Sequence, residues 1–183
     1  MTPRYGAPMT ATRSRKLAIC LLTGLAVAAG GAAAPALEPP KAQKITADGV
    51  GDVKLGARYT TLRAAKLLGA IGPGCELAGP QARSAKLAAP LKGSVDFTLT
   101  NIRRVATISV SRGATARGVA VGSTQAHLRH RFPKVVFDHS TDTTFGLTIA
   151  KVPKSGGGRL QFAINTKTKK VTLIGIPRIP FCE

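Results

Sequence analysis

Apolar and polar residues alternate over much of the chain after residue 90, and this pattern predicts mostly β-strands. The alternation is clearest in Val95–Leu99, where Asp96 and Thr98 separate the apolar side chains. A period of two places the apolar residues on one face of a strand. Further strands are predicted at 105–110, 135–137, 145–152, 160–164 and 171–176, with turns at 142–144, 155–158 and 165–167.

A first helix is predicted between residue 60 and residue 72. Thr60 or Thr61 would cap its N-terminus, and Gly69 or Gly72 would end it. The positions between these limits that follow helical spacing are Leu62, Ala65, Lys66 and Leu68.

A second helix is predicted from Thr124 to about Phe132. Ser123 would cap it, and Pro133 would end it. Leu128 and Phe132 are four residues apart, so they lie on one face of this helix. That face would cover the apolar side of the strands that follow.

A segment near the middle of the chain repeats one found 66 residues earlier, so that 118–129 corresponds to 52–63. The matching pairs are Val53 and Val119, Leu55 and Val121, Gly56 and Gly122, Leu62 and Leu128, Arg63 and Arg129, Val105 and Val171, and Ile108 and Ile174. The predicted fold is therefore α+β and consists of two tandem repeats, at 48–112 and 113–183. Each repeat is a short helix packed on an antiparallel meander sheet.

The chain carries a short glycine-bounded motif twice, each time ahead of a predicted helix. The first copy is Gly51-x-Val53-x-Leu55-Gly56 and the second is Gly118-Val119-x-Val121-Gly122-Ser123. With the strands that follow, the motif resembles the secreted helix-plus-four-stranded-sheet modules of the β-lactamase inhibitor protein family, where they occur in tandem. It is also similar to the single modules of the outer-membrane small-lipoprotein assembly factors. The resemblance implies the fold, and no inhibitory residue is carried over from it.

The N-terminal 36 residues have the pattern of a secretory signal. A cationic segment with Arg4, Arg13, Arg15 and Lys16 precedes twenty uncharged residues, and Ala34-Pro35-Ala36 has the small-x-small form of a cleavage site. We expect cleavage, and therefore a secreted, periplasmic or otherwise extracytoplasmic protein with no transmembrane segment. The alternative is an uncleaved anchor, since about 20 apolar residues can span a bilayer. Residues 37–47 would form an extended leader.

Two cysteines, Cys75 and Cys182, remain after removal of the signal. An even number of cysteines in an oxidising compartment predicts a disulfide. It would link the first repeat to the end of the second, whereas the resemblance implies disulfides within each inhibitor module. The alternatives are two free thiols or pairing between molecules.

Charge narrows the possible partners. The chain has 27 Lys and Arg against 8 Asp and Glu, and loss of the four signal cations leaves a net charge of +15. Such a charge attracts polyanions. The exposed aromatic residues that would stack on bases are scarce, which disfavours nucleic acid. The candidate anion-binding residues are Arg129, Arg131, Lys134, Lys167, Lys169 and Lys170. The alternative is that these cations form an ordinary solvated surface.

The sequence offers little for catalysis or metal binding. His127, His130 and His139 are close in sequence to Asp138 and Asp142, but the cations around the first two histidines would repel a metal ion. Nucleophile and zinc-protease motifs are absent from the sequence. We therefore expect no metal, no cofactor and no enzymatic activity.

The sequence thus predicts an exported non-enzymatic binding module. Its partner would be an anionic cell-envelope polymer or lipid surface, contacted through basic residues. The alternative is a protein-inhibitor or protein-docking module similar to the β-lactamase inhibitor proteins, with an exported protein as its partner.

Overall fold

The structure, a computed structural model, describes residues 42–153 and 159–181, all within one unit, Glu38–Glu183. The predicted signal and the predicted turn at 155–158 lie outside these residues. The strands are β1 (Gln43–Thr46), β2 (Gly49–Val50), β3 (Val53–Lys54), β4 (Leu68–Pro73), β5 (Arg83–Leu87), β6 (Lys92–Phe97), β7 (Val105–Arg112), β8 (Ala114–Thr115), β9 (Val136–Asp138), β10 (Leu147–Pro153), β11 (Arg159–Asn165) and β12 (Val171–Ile176). The helices are α1 (Tyr59–Ala64), α2 (Gln125–Arg131) and α3 (Asp142–Phe145), with a 3-10 turn at Glu76–Ala78.

Eight strands form one antiparallel sheet, in the order β4-β5-β6-β7-β12-β11-β10-β9. Strands β4 to β7 pair with their neighbours in the chain, and so do strands β9 to β12. The last strands of the two series, β7 and β12, pair with each other at the centre, with Ile108 opposite Ile176. The α+β class and the antiparallel arrangement predicted from the sequence are confirmed.

One face of this sheet supplies most of the core. Alternate residues of the central strands are fully buried on it, including Ile108, Phe162 and Ile174. The helices add Leu62 from α1 and Leu128 from α2, each almost inaccessible to solvent. Burying a side chain of this size stabilises a fold by about 1.5–3 kcal/mol. The short helices therefore persist through tertiary packing, since six or seven residues are too few for a stable isolated helix.

The first helix is shorter than the sequence predicted. It ends at Ala64, and Leu68 belongs to β4, where it pairs with Leu87. Lys66 takes a left-handed conformation with a φ of 58°, which reverses the chain direction between helix and strand. Leu68 is buried as a strand residue, so its spacing from Leu62 matched a helix only by coincidence.

Two smaller predictions in the second half were also wrong. Thr124 caps α2 in place of Ser123, because its Oγ1 accepts a hydrogen bond from the His127 N–H at 3.1 Å. The Ser123 hydroxyl instead accepts from the Ala120 N–H. Residues 142–145 form α3, so Phe145 is helical and the following strand begins at Leu147.

A four-stranded sheet of short strands, β3-β2-β1-β8, completes the fold. Its strand β1 lies within the predicted leader 37–47 and pairs with β8 in parallel, with Gln43 opposite Ala114. Ile45 in β1 is buried in the same core as the large sheet. The start of the described chain is thereby attached to the segment that joins the two series of strands.

Backbone hydrogen bonds recur at the sequence offset of 66. The Gly56 N–H donates to the Val105 carbonyl at 2.8 Å, and the Gly122 N–H donates to the Val171 carbonyl at 2.8 Å. Val105 and Val171 in turn donate to residues 57 and 123, both at 2.9 Å. Gly56 and Gly122 have positive φ angles of 75° and 93°, a conformation that glycine adopts without steric cost. Each helix is thus attached to its sheet by the same pair of contacts.

The C-terminal segment turns back over the other face of the large sheet. The Ile179 N–H donates to the Gln161 side chain at 2.9 Å, and the ring of Phe181 stacks on that of Phe145 at 4.7 Å. The Cys75 Sγ lies 3.9 Å from the Phe181 carbonyl oxygen. Cys182 lies outside the described residues, so the predicted Cys75–Cys182 disulfide stays a prediction.

Candidate anion-binding surface

Helix α2 positions the basic residues that the sequence singled out. Leu128 is fully buried beneath the helix, so its neighbours along the chain project to the sides. Arg129 and Arg131, two of the predicted residues, lie in the last turn and are exposed. The two side chains have different surroundings, since Arg129 lies beside Phe137 and Arg131 contacts Arg117.

Arg129 lines a shallow recess of about 580 Å³. The recess is bounded by Gln125, Ala126, Arg129, His130 and Lys169. The Arg129 guanidinium carbon lies 5.0 Å from the centroid of the Phe137 ring, which holds the charge in place through a cation–π contact. The Lys169 carbonyl accepts a hydrogen bond from the Gln125 N–H at 2.9 Å, which keeps this lysine beside α2.

A second basic site is a groove of about 630 Å³, here called the basic groove. It lies between β1, the loop after α2, and the ends of β10 and β11. Its cations are Lys44, Arg117 and Lys134, all exposed. Its other lining residues are Ile45, Thr46, Ala47, Ala116, Phe132, Pro133, Val152, Pro153 and Leu160. In the part of the chain that the structure describes, the groove therefore combines apolar walls with three positive charges.

Arg131 contacts Arg117, one of the residues that line the basic groove. Its Nε–H donates to the Arg117 carbonyl at 2.7 Å. Arg117 has a φ of 48°, and its guanidinium carbon lies 5.4 Å from the centroid of the Phe132 ring. Both arginines are thus held by defined contacts, which reduces the freedom that a bound anion would have to remove.

The remaining predicted cations lie on the tip between β11 and β12. The Asn165 side chain accepts hydrogen bonds from the N–H groups of Lys167 and Thr168, at 3.0 Å and 2.9 Å. This arrangement fixes the turn and leaves Lys167, Lys169 and Lys170 exposed. The structure therefore brings Arg129 and Lys169 together, places Lys134 at the groove, and connects Arg131 to the groove residue Arg117.

The predicted cations make no ion pairs with carboxylates among residues 42–153 and 159–181. Two ion pairs occur in that part of the chain, Lys151–Asp138 at 2.6 Å and His139–Asp142 at 2.8 Å. The hydrogen bond from Lys151, with two from Ser140, holds the pKa of Asp138 well below its ordinary value. The hydrogen bonds from His139 and then Thr148 lower the pKa of Asp142. The carboxylates near α2 are therefore engaged elsewhere.

The histidines do not assemble a metal site in the part of the chain that the structure describes, since it contains no cluster of three or more His, Cys, Asp or Glu side chains suited to a metal. His139 Nδ1 is hydrogen-bonded to Asp142, whereas His130 lines the recess beside Arg129. Ser140 contributes its backbone N–H to Asp138. These contacts place His139, Ser140 and Asp142 in one local turn.

Sequence reasoning missed Lys44 and Arg117. Lys44 reaches the groove because β1 pairs with β8, some seventy residues away, and a local pattern cannot predict that pairing. One feature of the sequence pointed to Arg117. It precedes Gly118 in the repeated motif and corresponds, at the offset of 66, to Gly51. Both residues have a positive φ, and that of Gly51 is 50°.

Within residues 42–153 and 159–181, every helix is too short or too polar to cross a membrane. Comparisons with protein-family profiles, with curated proteins and with solved structures found no match to this chain. The resemblance to tandem inhibitor modules therefore stays a prediction from the quoted motifs.

Proposed function

We propose that this chain is an exported, non-enzymatic binding module that contacts an anionic cell-envelope component through the basic residues around α2. The observation that carries the proposal is that exposed cations lie on both sides of helix α2. They come from β1, the 116–118 turn, α2 and the 165–170 tip, and they make no ion pairs within the described residues.

Uncompensated cations on one surface favour an extended anionic partner. Each Lys or Arg near an anionic lipid surface contributes about 1 kcal/mol of attraction, which falls off over the Debye length of ~8–10 Å. Cations that already neutralised a carboxylate would contribute less. A surface with several free cations can therefore bind an anionic polymer or bilayer although each contact is weak.

We infer further that 48–112 and 113–183 are repeats of one unit, of which the second carries the basic surface. The matched hydrogen bonds of Gly56 with Val105 and of Gly122 with Val171 support this inference. The order of the large sheet also supports it, because each series of four strands follows a helix and the two series meet at their last strands.

Export and the Cys75–Cys182 disulfide belong to the same proposal. The predicted signal at 1–36 would deliver the chain to an oxidising compartment. The closeness of the Cys75 sulfur to the carbonyl of Phe181, which precedes Cys182, supports the pairing.

Cosedimentation with vesicles tests the proposal. The chain is recovered from the exported fraction and mixed with phosphatidylglycerol/phosphatidylcholine vesicles at increasing salt. We expect binding to anionic vesicles that weakens steeply with salt, and little binding to pure phosphatidylcholine. The double variant Arg129→Glu/Lys169→Glu should bind about tenfold more weakly or worse, since it reverses two charges.

A matched control separates a specific surface from net charge. Lys86→Glu/Lys92→Glu makes the same charge change on β5 and β6, at two exposed lysines far along the chain from α2. Its binding should fall by less than about threefold. Equal losses in the two variants, or retention that does not respond to salt, would contradict the proposal.

The alternative function, protein docking, has one observation in its favour. The tip between β6 and β7 exposes Leu99 and Ile102, at 57% and 55% of their surfaces. Thr98 and Thr100 hydrogen-bond to the Ile102 carbonyl, so the tip has a defined shape. If docking is the function, Leu99→Asp/Ile102→Asp should abolish recovery of a stoichiometric exported partner, and the α2 double variant should not.

A further inference from the structure

We infer that the basic groove binds one anionic amphiphile at a time. Lys44, Arg117 and Lys134 would hold its phosphate or carboxylate group. Its hydrocarbon chain would lie against Phe132, Val152 and Leu160. This inference rests on the proposed function and deepens it by naming the class of ligand.

The walls of the groove favour a hydrocarbon chain. Val152 and Leu160 are opposite each other in the β10–β11 ladder, and Phe132 packs on the neighbouring Phe162 ring with 5.5 Å between centroids. Phe132 and Leu160 are buried, at 5% and 8% exposure, whereas Val152 is half-buried. The volume of about 630 Å³ lies within the ~300–1,000 Å³ usual for sites that enclose a small molecule.

The charges at the rim favour an anionic group. Among residues 42–153 and 159–181, three cations line the groove and no Asp or Glu does. The three cations come from separate segments, β1, the turn before Gly118, and the loop after α2. All three line the same groove, so we expect one anionic group bound there to attract all of them. A neutral amphiphile would leave these charges unused, and a free inorganic anion would leave the apolar walls exposed.

The position of Arg117 is fixed before any ligand binds. Its backbone is left-handed, its carbonyl accepts from Arg131, and its guanidinium lies over the Phe132 ring. Because the same ring forms part of the apolar wall, the charge sits where the wall meets solvent. This is the boundary that the headgroup of a seated amphiphile would occupy.

Titration calorimetry on the exported chain tests the inference with four probes. These are dodecyl phosphate, dodecyl phosphocholine, dodecyl maltoside and inorganic phosphate, each lipid analogue below its micelle concentration. We expect one dodecyl phosphate per chain, bound at least tenfold more tightly than the zwitterionic and neutral analogues. Inorganic phosphate should bind too weakly to detect. The requirement for both parts of the ligand distinguishes this groove from a general cationic surface.

Variants assign the binding to the groove. Lys44→Glu/Lys134→Glu should weaken dodecyl phosphate at least tenfold, and Val152→Asn, which adds no charge, should weaken it by a similar factor through loss of the apolar contact. Arg129→Glu/Lys169→Glu carries the same charge change at the recess and should alter affinity less than threefold. Urea unfolding of each variant establishes that it is folded, and Lys44→Gln/Lys134→Gln replaces any variant that is not.

The outcomes separate this inference from the proposed function. Loss of dodecyl phosphate binding in the recess variant, equal binding of inorganic phosphate, or absence of saturable binding would each overturn the inference. If anionic vesicles bind normally while dodecyl phosphate does not bind, the groove proposal fails and the proposed function stands. If dodecyl phosphate binds in the groove while vesicles do not bind, the ligand class of the groove is supported and the wider envelope contact of the proposed function fails.

Discussion

The tips between β6 and β7 and between β11 and β12 stand at matching places in the two strand series, yet their chemistry differs. The first tip, at residues 98–104, exposes Leu99 and Ile102. The second, at residues 165–170, exposes Lys167, Lys169 and Lys170. The backbone contacts next to the tips agree at the offset of 66, since Tyr59 donates to Arg103 and Gln125 donates to Lys169, both at 2.9 Å.

The two halves thus share the backbone hydrogen bonds that attach each helix to its sheet, here called the frame. They differ in the exposed side chains of their tips. The backbone hydrogen bonds are set by glycines and by the core valines, whose side chains face inward. The tips face solvent, so their side chains can change without loss of the frame. The two halves should therefore respond alike to changes in their backbone contacts and cores, and differently to changes at their tips.

The largest expected effect is the loss of the link between the two halves. If Cys75 and Cys182 are joined, the disulfide closes a loop of more than a hundred residues, and its removal should cost about 4–5 kcal/mol of unfolding free energy. Cys75→Ser and added reductant should lower the urea midpoint equally. An intact mass that does not change on reduction, with no change in midpoint, would show that the two sulfurs are not joined.

The next effect concerns the two matched leucines. Leu62→Ala and Leu128→Ala each remove a side chain buried between a helix and the sheet, at 4% and 0% exposure. Each should lower the unfolding free energy by about 2–5 kcal/mol, with the larger loss at Leu128. Urea denaturation measures both. A loss under about 1 kcal/mol at one site only would break the equivalence of the two helices.

The two matched glycines should give a smaller and nearly equal effect. Gly56 and Gly122 both have open space where a Cβ would point, so alanine meets no neighbour within 4 Å. Only the left-handed conformation then opposes the substitution, at about 1–2 kcal/mol each. Gly72→Ala is the control, because that position is equally open and its φ lies outside the positive range. If the losses of unfolding free energy in Gly56→Ala and Gly122→Ala differed by more than about 1 kcal/mol, the two halves would not share the same backbone frame.

Much of the second half could be predicted from the sequence, because its strands alternate and Pro133 follows the end of its helix. The predicted range 171–176 is the range of β12, and 160–164 lies within β11. The predicted first helix was too long, because Leu68 is buried as a residue of strand β4 and not as a residue of a helix. Of the candidate site, the sequence identified the exposed cations of α2, Lys134 and the 165–170 tip, and it missed Lys44 and Arg117. It could not bring Lys44 beside Lys134, since that depends on a parallel strand pairing between distant segments.

The smallest expected effect is on the pH dependence of the unfolding free energy. Asp96 in the first half and Asp138 in the second half should change it with opposite signs. Burial raises the pKa of Asp96 on β6, and the opposing charge of Arg178 only partly offsets it. The pKa of Asp138 on β9 is lowered, chiefly by its hydrogen bond from Lys151. The Asp138 contribution is present above its unfolded pKa of about 3.9 and is lost as pH falls toward the folded pKa.

For Asp96 the sign is reversed, because its folded pKa lies above the unfolded one. Ionisation of Asp96 destabilises the folded state, so its contribution to the unfolding free energy becomes more favourable as pH falls through the folded pKa. Asp138→Asn should therefore flatten the acid-side loss of the urea midpoint between pH 5 and pH 3, whereas Asp96→Asn should steepen it. Identical pH profiles for the two variants would contradict these assignments.

The central claim, that the second half presents an anion-binding surface, is tested most directly by one salt titration on anionic vesicles. The wild-type chain, Arg129→Glu/Lys169→Glu and the first-tip variant Leu99→Asp/Ile102→Asp are measured side by side. Arg129→Glu/Lys169→Glu should bind the vesicles about tenfold more weakly than wild type. Its affinity should also fall less steeply as the salt concentration rises. The tip variant, which adds the same number of negative charges without removing a cation, should stay within about threefold of wild type. Equal losses, or a loss confined to the tip variant, would contradict the account.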